Sequence, residues 1–204
     1  MFNKSITNLF YAFCMLSMMV VSTIVSAADR PAEWAVPMKL EGVGNLNKIN
    51  ANLYRSEQPT AQGLKNIKEK LGVKTVINLR VFHSDTENAK SAGLLNEELS
   101  VKTWHIEDED VVKVLALIRY AENGPFLVHC QHGADRTGLM SAMYRMVEQG
   151  WTKQAAIDEL VNGGYGFHPV WQNILQYLNQ VDVAAIRQQV DLVAPPAKSA
   201  STSL

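Results

Sequence analysis

Cysteine is scarce in this chain of 204 residues, which has only Cys14 and Cys130. Cys14 lies in an apolar N-terminal stretch, so a chain processed after residue 27 keeps Cys130 alone and can form no internal disulfide. That excludes a disulfide-stapled fold. Excess charge is also lacking: 19 Lys and Arg stand against 20 Asp and Glu, for a net charge of −1, with no long basic run. There is therefore no electrostatic case for a nucleic-acid partner. No internal repeat and no coiled-coil heptad is present, and no His and Cys or His and carboxylate spacing compels a metal site.

The N-terminus has Lys4 as its only charge before Asp29, an apolar run from Leu9 to Val25, and then the small residues Ser26, Ala27 and Ala28. This is the pattern of a secretory signal peptide over residues 1–27. The competing reading is an uncleaved anchor, because the apolar run approaches the length that spans a bilayer. Small residues followed by polar Asp29 and Arg30 favour cleavage, and bulky Phe13 before Cys14 disfavours a lipoprotein. The expectation is an exported protein, periplasmic or secreted, with no stable membrane insertion after cleavage. Removal of Lys4 takes the net charge from −1 to −2, and the loss of 27 residues from 204 leaves about 177. That is enough for one well-packed domain and hardly for two.

The chain then divides into an irregular lead-in over 28–52, a domain over 53–182 and a C-terminal tail over 183–204 that is disordered at its Pro, Ala and Ser-rich end. Leu53 and Tyr54 start a short edge strand. Gln58-Pro59-Thr60 opens a helix with Leu64, Ile67 and Leu71 on one face, stopped at Gly72. Val73 to Leu79 alternates as a strand with one face in the core, Arg80 to Asp85 is a polar loop, and a modest helix precedes a strand around Val101 to Trp104. Asp108, Glu109 and Asp110 place negative charge at the start of a helix buried through Val111, Val114, Leu115 and Ile118. Phe126-Leu127-Val128 is too short and too uniformly apolar for a helix and predicts a central buried strand. Helices follow from Thr137 to Gly150, from Lys153 to Val161 and from Pro169 to Val181. The sum is an α/β fold, a central and mostly parallel sheet flanked by helices, with a helical C-terminal half.

Between that buried strand and the next helix stands V-H-C-Q-H-G-A-D-R-T-G, Val128 to Gly138. A loop at the carboxyl end of a strand, leading into a helix, is where α/β folds place ligands. Its successive N–H groups and the positive end of the helix suit an oxyanion, and the same field stabilises a thiolate at Cys130. Gln131, His132, Gly133, Ala134, Asp135 and Arg136 would line a phosphate cradle, with Gly133 where the backbone turns tightly and Arg136 gripping two oxygens at once. His129 tunes and orients the cysteine, and Thr137 can donate its hydroxyl to the sulfur. The implied chemistry is attack by Cys130 on phosphorus, followed by hydrolysis of a phosphocysteine.

His129-Cys130 to Arg136-Thr137-Gly138 resembles the H-C-x5-R-T-G signature of the cysteine-dependent protein tyrosine phosphatases. Leu53-Tyr54-Arg55-Ser56-Glu57-Gln58-Pro59, Lys74 to Arg80, Tyr144-Arg145 and Gly163-Gly164-Tyr165-Gly166 extend the likeness to the compact dual-specificity-like phosphatases of bacteria. The resemblance implies neither metal nor organic cofactor. It implies a phosphorylated protein or peptide as substrate, with phosphotyrosine first and phosphoserine or phosphothreonine in addition. It leaves a phosphoinositide or inositol phosphate as the alternative, although the cradle's own Gln131 to Asp135 hold no Lys or Arg. A phosphate-binding pseudophosphatase and a sulfurtransferase are the readings outside that class.

The family also implies an acid that protonates the leaving oxygen, supplied from a loop upstream of the cysteine. Here that loop is short, and its candidates are Glu107, Asp108 and Asp110, with Asp108 favoured because a residue at the helix cap can project toward the neighbouring strand end. Asp135 within the cradle is the alternative acid, and Asp85 a third that could reach the rim. His168-Pro169 is most economically a helix start. Tyr165, Phe167 and Trp171 either line the substrate rim or pack beneath the loop.

Overall fold

The structure is a computed structural model that describes residues 30–193. The expected signal peptide and the end of the tail lie outside the described residues. The chain divides into residues 1–32 and residues 33–204, and the fold below is that of the second unit.

Six strands form one sheet: β1 (Val36–Pro37), β2 (Asn47–Lys48), β3 (Leu53–Ser56), β4 (Thr75–Asn78), β5 (Leu95–Glu98) and β6 (Phe126–His129). Their spatial order is β1-β2-β3-β6-β4-β5. The pairs from β3 through β6 and β4 to β5 are parallel, while β1 and β2 extend the sheet antiparallel beyond β3. The expected mostly parallel sheet is therefore present, and residues 30–52 are less irregular than expected of the lead-in. Leu53 and Tyr54 belong to an interior strand, because β1 and β2 cover the edge on which β3 would otherwise lie.

Seven helices flank the sheet among the described residues: α1 (Ala61–Leu71), α2 (Thr86–Ala92), α3 (Asp108–Tyr120), α4 (Asp135–Glu148), α5 (Lys153–Asn162), α6 (Gln172–Gln180) and α7 (Val183–Leu192). Thr60 caps α1 by accepting a hydrogen bond from the Gly63 N–H at 3.0 Å. The parallel strands are covered on both faces. Phe126 and Val128 pack with Leu53, Ile77 and the helices α3, α4, α6 and α7, whereas Leu127 packs with Tyr54, Val76, Leu64, Ile67 and Ala89 on the other side. This corrects the reading of Val73 to Leu79 as a strand with one buried face, since every residue of β4 is buried.

Three further expectations change. The strand after α2 is Leu95–Glu98, four residues of which none is buried, and the segment at 101–104 holds only an isolated bridge from Lys102 to His105. Edge position explains the miss: β5 pairs on one side only, so its side chains need not be apolar. The domain also runs past residue 182. Asp182 caps α7 through the Ala184 and Ala185 N–H groups, both at 3.0 Å, and Ile186 and Val190 are buried against the core. Arg119 then joins three helices, reaching Glu148 at 2.6 Å and Asp191 at 2.5 Å. Finally, α6 begins at Gln172, three residues after Pro169.

Candidate active site

Cys130 sits immediately after β6 and is 2 % exposed, the free thiol among the described residues. The loop behind it is shaped from outside. Gln131 offers its carbonyl to the Gln58 N–H at 3.2 Å, His132 offers its carbonyl to Asn45 Nδ2 at 2.9 Å, and Gly133 offers its carbonyl to Arg55 Nη2 at 2.7 Å. A planar peptide carries its N–H opposite its C=O. Three outward carbonyls therefore turn the N–H groups of His132, Gly133 and Ala134 inward, which is the concavity that receives an oxyanion. Asp135 starts α4 directly afterwards, adding the positive end of that helix.

Gly133 has φ +68°, and a Cβ there would meet the Ser56 carbonyl carbon and the Glu57 nitrogen at 2.5 Å. Both the backbone conformation and the close approach to the end of β3 require glycine. Arg136 Nη1 donates to the Leu79 carbonyl at 3.2 Å, which fixes the guanidinium over the end of β4. Thr137 is fully buried, and its hydroxyl has no hydrogen-bond partner among the described residues. The expected donation from Thr137 to the Cys130 sulfur is accordingly not made in this structure.

His129 does support the loop. Its ring is fully buried, with Nε2 2.9 Å from Asp85 Oδ2 and Nδ1 3.2 Å from the Cys130 carbonyl. Gln58 also donates to Asp85, and His83 Nε2 lies 3.4 Å away. Burial pushes the Asp85 carboxyl up, yet the close His129 ring, the Gln58 hydrogen bond and the His83 imidazole outweigh it and hold Asp85 below the usual range. Asp85 is 1 % exposed, which corrects the reading of it as an acid at the rim. It is a buried support for His129.

Arg55 is the largest fully buried side chain, 1 % exposed and stacked 3.6 Å from the centre of the Tyr165 ring. Tyr165 is 2 % exposed and donates to Glu159 at 3.0 Å, so it packs beneath the loop and does not line the rim. Glu159 in turn receives Arg145 through two nitrogens at 2.7 and 2.9 Å and the Ala35 N–H at 2.6 Å. Sequence reasoning placed Arg55 and Tyr165 in the family pattern but assigned Arg55 no role, and it missed Asn45 altogether. Asn45 adopts φ 49° and clamps the His132 and Tyr165 carbonyls together. No local pattern marks it, because both partners are about a hundred residues away in sequence.

The acid candidates occupy different surroundings. Asp108 is the first residue of α3, and its Oδ1 accepts the Tyr177 hydroxyl at 2.7 Å. Burial and this contact hold the Tyr177 phenol well above its ordinary range, so it acts as the donor. Because α3 returns from the β5 side to β6, its first turn lies at the end of the sheet that carries the cradle. Glu107 pairs with His105 on the surface at 2.9 Å. Burial pushes the Asp110 carboxyl up against the pull of Lys113, with Glu107 and Glu109 adding to the rise. Asp135 is 7 % exposed, and both of its oxygens face His168: Oδ1 accepts the backbone N–H at 2.9 Å and Oδ2 lies 2.9 Å from Nδ1.

The structure therefore gathers Cys130, the inward N–H groups, Arg136 and the His129 support, and it adds Asn45, Arg55 and His168. Phe82, Trp104 and Val170 are exposed on loops at 90, 60 and 78 %. No helix among the described residues is long and apolar enough to cross a membrane.

Comparison with known proteins agrees with this geometry. The family model described as a DSP-PTPase phosphatase fused to NAD+ kinase matches residues 32–168. The chain is 38 % identical over 165 residues to the dual specificity protein phosphatase TpbA of Pseudomonas aeruginosa, covering 79 % of this chain and 73 % of that protein. The crystal structure of P. aeruginosa TpbA in a cysteine-to-serine form, in complex with pTyr, superposes with a TM-score of 0.72 at 34 % identity, over 80 % of this chain and 99 % of that one. The core catalytic domain of the PP-IP phosphatase SIW14 from S. cerevisiae shares the fold, with a TM-score of 0.65 at 20 % identity over 75 % of this chain and 94 % of that one.

Proposed function

This chain belongs to the cysteine-dependent protein tyrosine phosphatases of the dual-specificity type, and from that membership we propose that it hydrolyses phosphotyrosine in proteins or peptides, with phosphoserine and phosphothreonine as further substrates. The observation that carries the reading is the set of three outward carbonyls at Gln131, His132 and Gly133, which turns the N–H groups of the loop after Cys130 inward. The sulfur attacks phosphorus in line; the S–P bond forms as the bond to the leaving oxygen breaks, and that oxygen takes a proton from the acid. Water then attacks the phosphocysteine, releasing inorganic phosphate and the thiol. Arg136 and the inward N–H groups hold the equatorial oxygens and bind them more tightly as charge develops.

Asp108 supplies the proton, with Asp135 as the alternative. The hydrogen bond donated by the Tyr177 hydroxyl keeps Asp108 oriented at the start of α3, while the His168 contacts engage Asp135 on both oxygens. Support for export is the pattern of residues 1–28 alone, and we place the mature protein outside the cytoplasm, periplasmic or secreted. Cell fractionation tests that placement and N-terminal sequencing tests the cleavage; recovery in the cytoplasm with a start at Met1 would refute it.

The catalytic reading is tested with phosphotyrosyl, phosphoseryl and phosphothreonyl peptides beside a phosphoinositide panel. Cys130→Ser abolishes turnover yet retains substrate binding, and Arg136→Ala loses both. Turnover persisting in Cys130→Ser overturns the covalent mechanism, preference for the lipids overturns the substrate class, and phosphate binding without turnover in the native protein indicates a pseudophosphatase. Asp108→Asn and Asp135→Asn, compared on a poor leaving group, identify the acid by the larger loss.

A further inference from the structure

His168 is not used by the chemistry above, yet it stands beside two members of the cradle. Its ring centre is 5.6 Å from that of His132, and one donor atom from each of His132, Asp135 and His168 lies within 4.8 Å of the others. Two of the three are already locked together, since Asp135 faces His168 Nδ1 at 2.9 and 3.2 Å and also accepts its backbone N–H. Zinc bonds of 2.0–2.1 Å in a tetrahedron place neighbouring ligand atoms about 3.3 Å apart. The Asp135 and His168 atoms fit that spacing as they stand, and His132, on the exposed side of the loop, closes the remainder by a side-chain rotation.

We propose that His132, Asp135 and His168 form a binding site for a divalent transition-metal ion of the zinc class at the rim of the cradle. Two imidazoles and one carboxylate select such ions over magnesium and calcium, which take oxygen ligands. The electrostatics sharpen that choice. Arg136 and the start of α4 repel a bare cation, so an ion held by charge alone is disfavoured, whereas one bonded directly to imidazole nitrogen is retained. Three protein ligands leave a fourth position open. Because His132 and Asp135 belong to the loop, occupancy ties the loop to the segment that carries His168 and slows turnover; this consequence rests on the phosphatase reading, and the binding itself does not.

The test is titration of the full chain with Co²⁺, followed by visible absorption, and displacement by Zn²⁺. The expected result is a four-coordinate Co²⁺ spectrum that Zn²⁺ abolishes, persists in Cys130→Ser, and is weakened roughly tenfold or more in both His168→Ala and His132→Ala. Unchanged affinity in both histidine variants overturns the proposal. So does loss of binding in Cys130→Ser, which would place the ion on the sulfur. Circular dichroism of each variant establishes that it is folded, and hydrolysis of an aryl phosphate without added metal reports separately on the catalytic reading.

Discussion

Replacing Arg55 by methionine is expected to slow turnover far more than it loosens the fold. Burial holds the guanidinium well below its ordinary value, down to about 10, against the opposing pulls of Tyr165, Glu159 and Cys130. At the usual conversion that drop amounts to roughly 3 kcal/mol of cost for burying the charge. The folded chain binds this proton less tightly than the unfolded chain, so the cost applies below pH about 10 and fades as the pH rises beyond it. Methionine removes it while filling much of the same space. Against this, the substitution forfeits the stacking on Tyr165, worth about 2 kcal/mol when desolvated, and strips the Gly133 carbonyl of its partner, at about 1–3 kcal/mol. The opposing contributions nearly cancel, and the net change in unfolding free energy should stay within about 2 kcal/mol.

Catalysis has no such compensation. Without Arg55 the peptide between Gly133 and Ala134 is no longer held with its N–H inward. Loss of one preorganised oxyanion donor costs about a hundred- to a thousandfold in kcat. Urea unfolding followed by fluorescence, together with kcat on an aryl phosphate, measures both quantities on one preparation. A variant with nearly native kcat, or one destabilised by more than about 4 kcal/mol, would refute the assignment of Arg55 to loop shape.

Gly133→Ala should lose most activity while remaining folded, because its Cβ meets the Ser56 and Glu57 backbone at 2.5 Å and the positive φ adds strain; native kcat with native phosphate binding contradicts this. Burial pushes Glu159 up, but Arg145, the Ala35 N–H and Tyr165 outweigh it and hold the carboxyl below 4.5. The stability this contributes is present above pH about 4.5 and is lost as the pH falls below it. Glu159→Gln, which leaves Arg145 buried without its counter-charge, should cost about 3–5 kcal/mol at neutral pH and flatten the decline of Tm below pH 4.5; parallel pH curves for the two proteins would show that Glu159 is not responsible. Ile186→Ala should cost about 2–5 kcal/mol by thermal or denaturant unfolding, since Ile186 is 1 % exposed; a neutral result would mean that α7 is not part of the cooperative fold.

Much of the architecture was legible where local pattern and final environment agree. Thr60 and Gly72 bracket α1 as helix signals should, and Phe126 to Val128 is apolar throughout because both faces of β6 are covered. Legibility failed at the edges. β5 is exposed and polar, so no alternation marks it, and α7 was mistaken for tail although Asp182, Ile186 and Val190 carry a cap and a stripe. Asp85 looked like a rim acid because it ends a polar loop, whereas its burial against His129 depends on β4 and β6 lying side by side.

The order of residues from Val128 to Gly138 by itself determined the nucleophile, the arginine clamp and a cradle at a strand-to-helix junction, because all of these lie within one short loop whose geometry is local. Tertiary structure alone decided what holds that loop open. Asn45, Arg55 and Gln58 draw three successive carbonyls outward from positions more than seventy residues away in the chain, and Asp85 reaches His129 across the sheet. It also brought His168 to Asp135, thirty-three residues apart. Hydrogen bonds and ion pairs act over a few ångströms, and only the packed strands and helices bring such distant residues within that range.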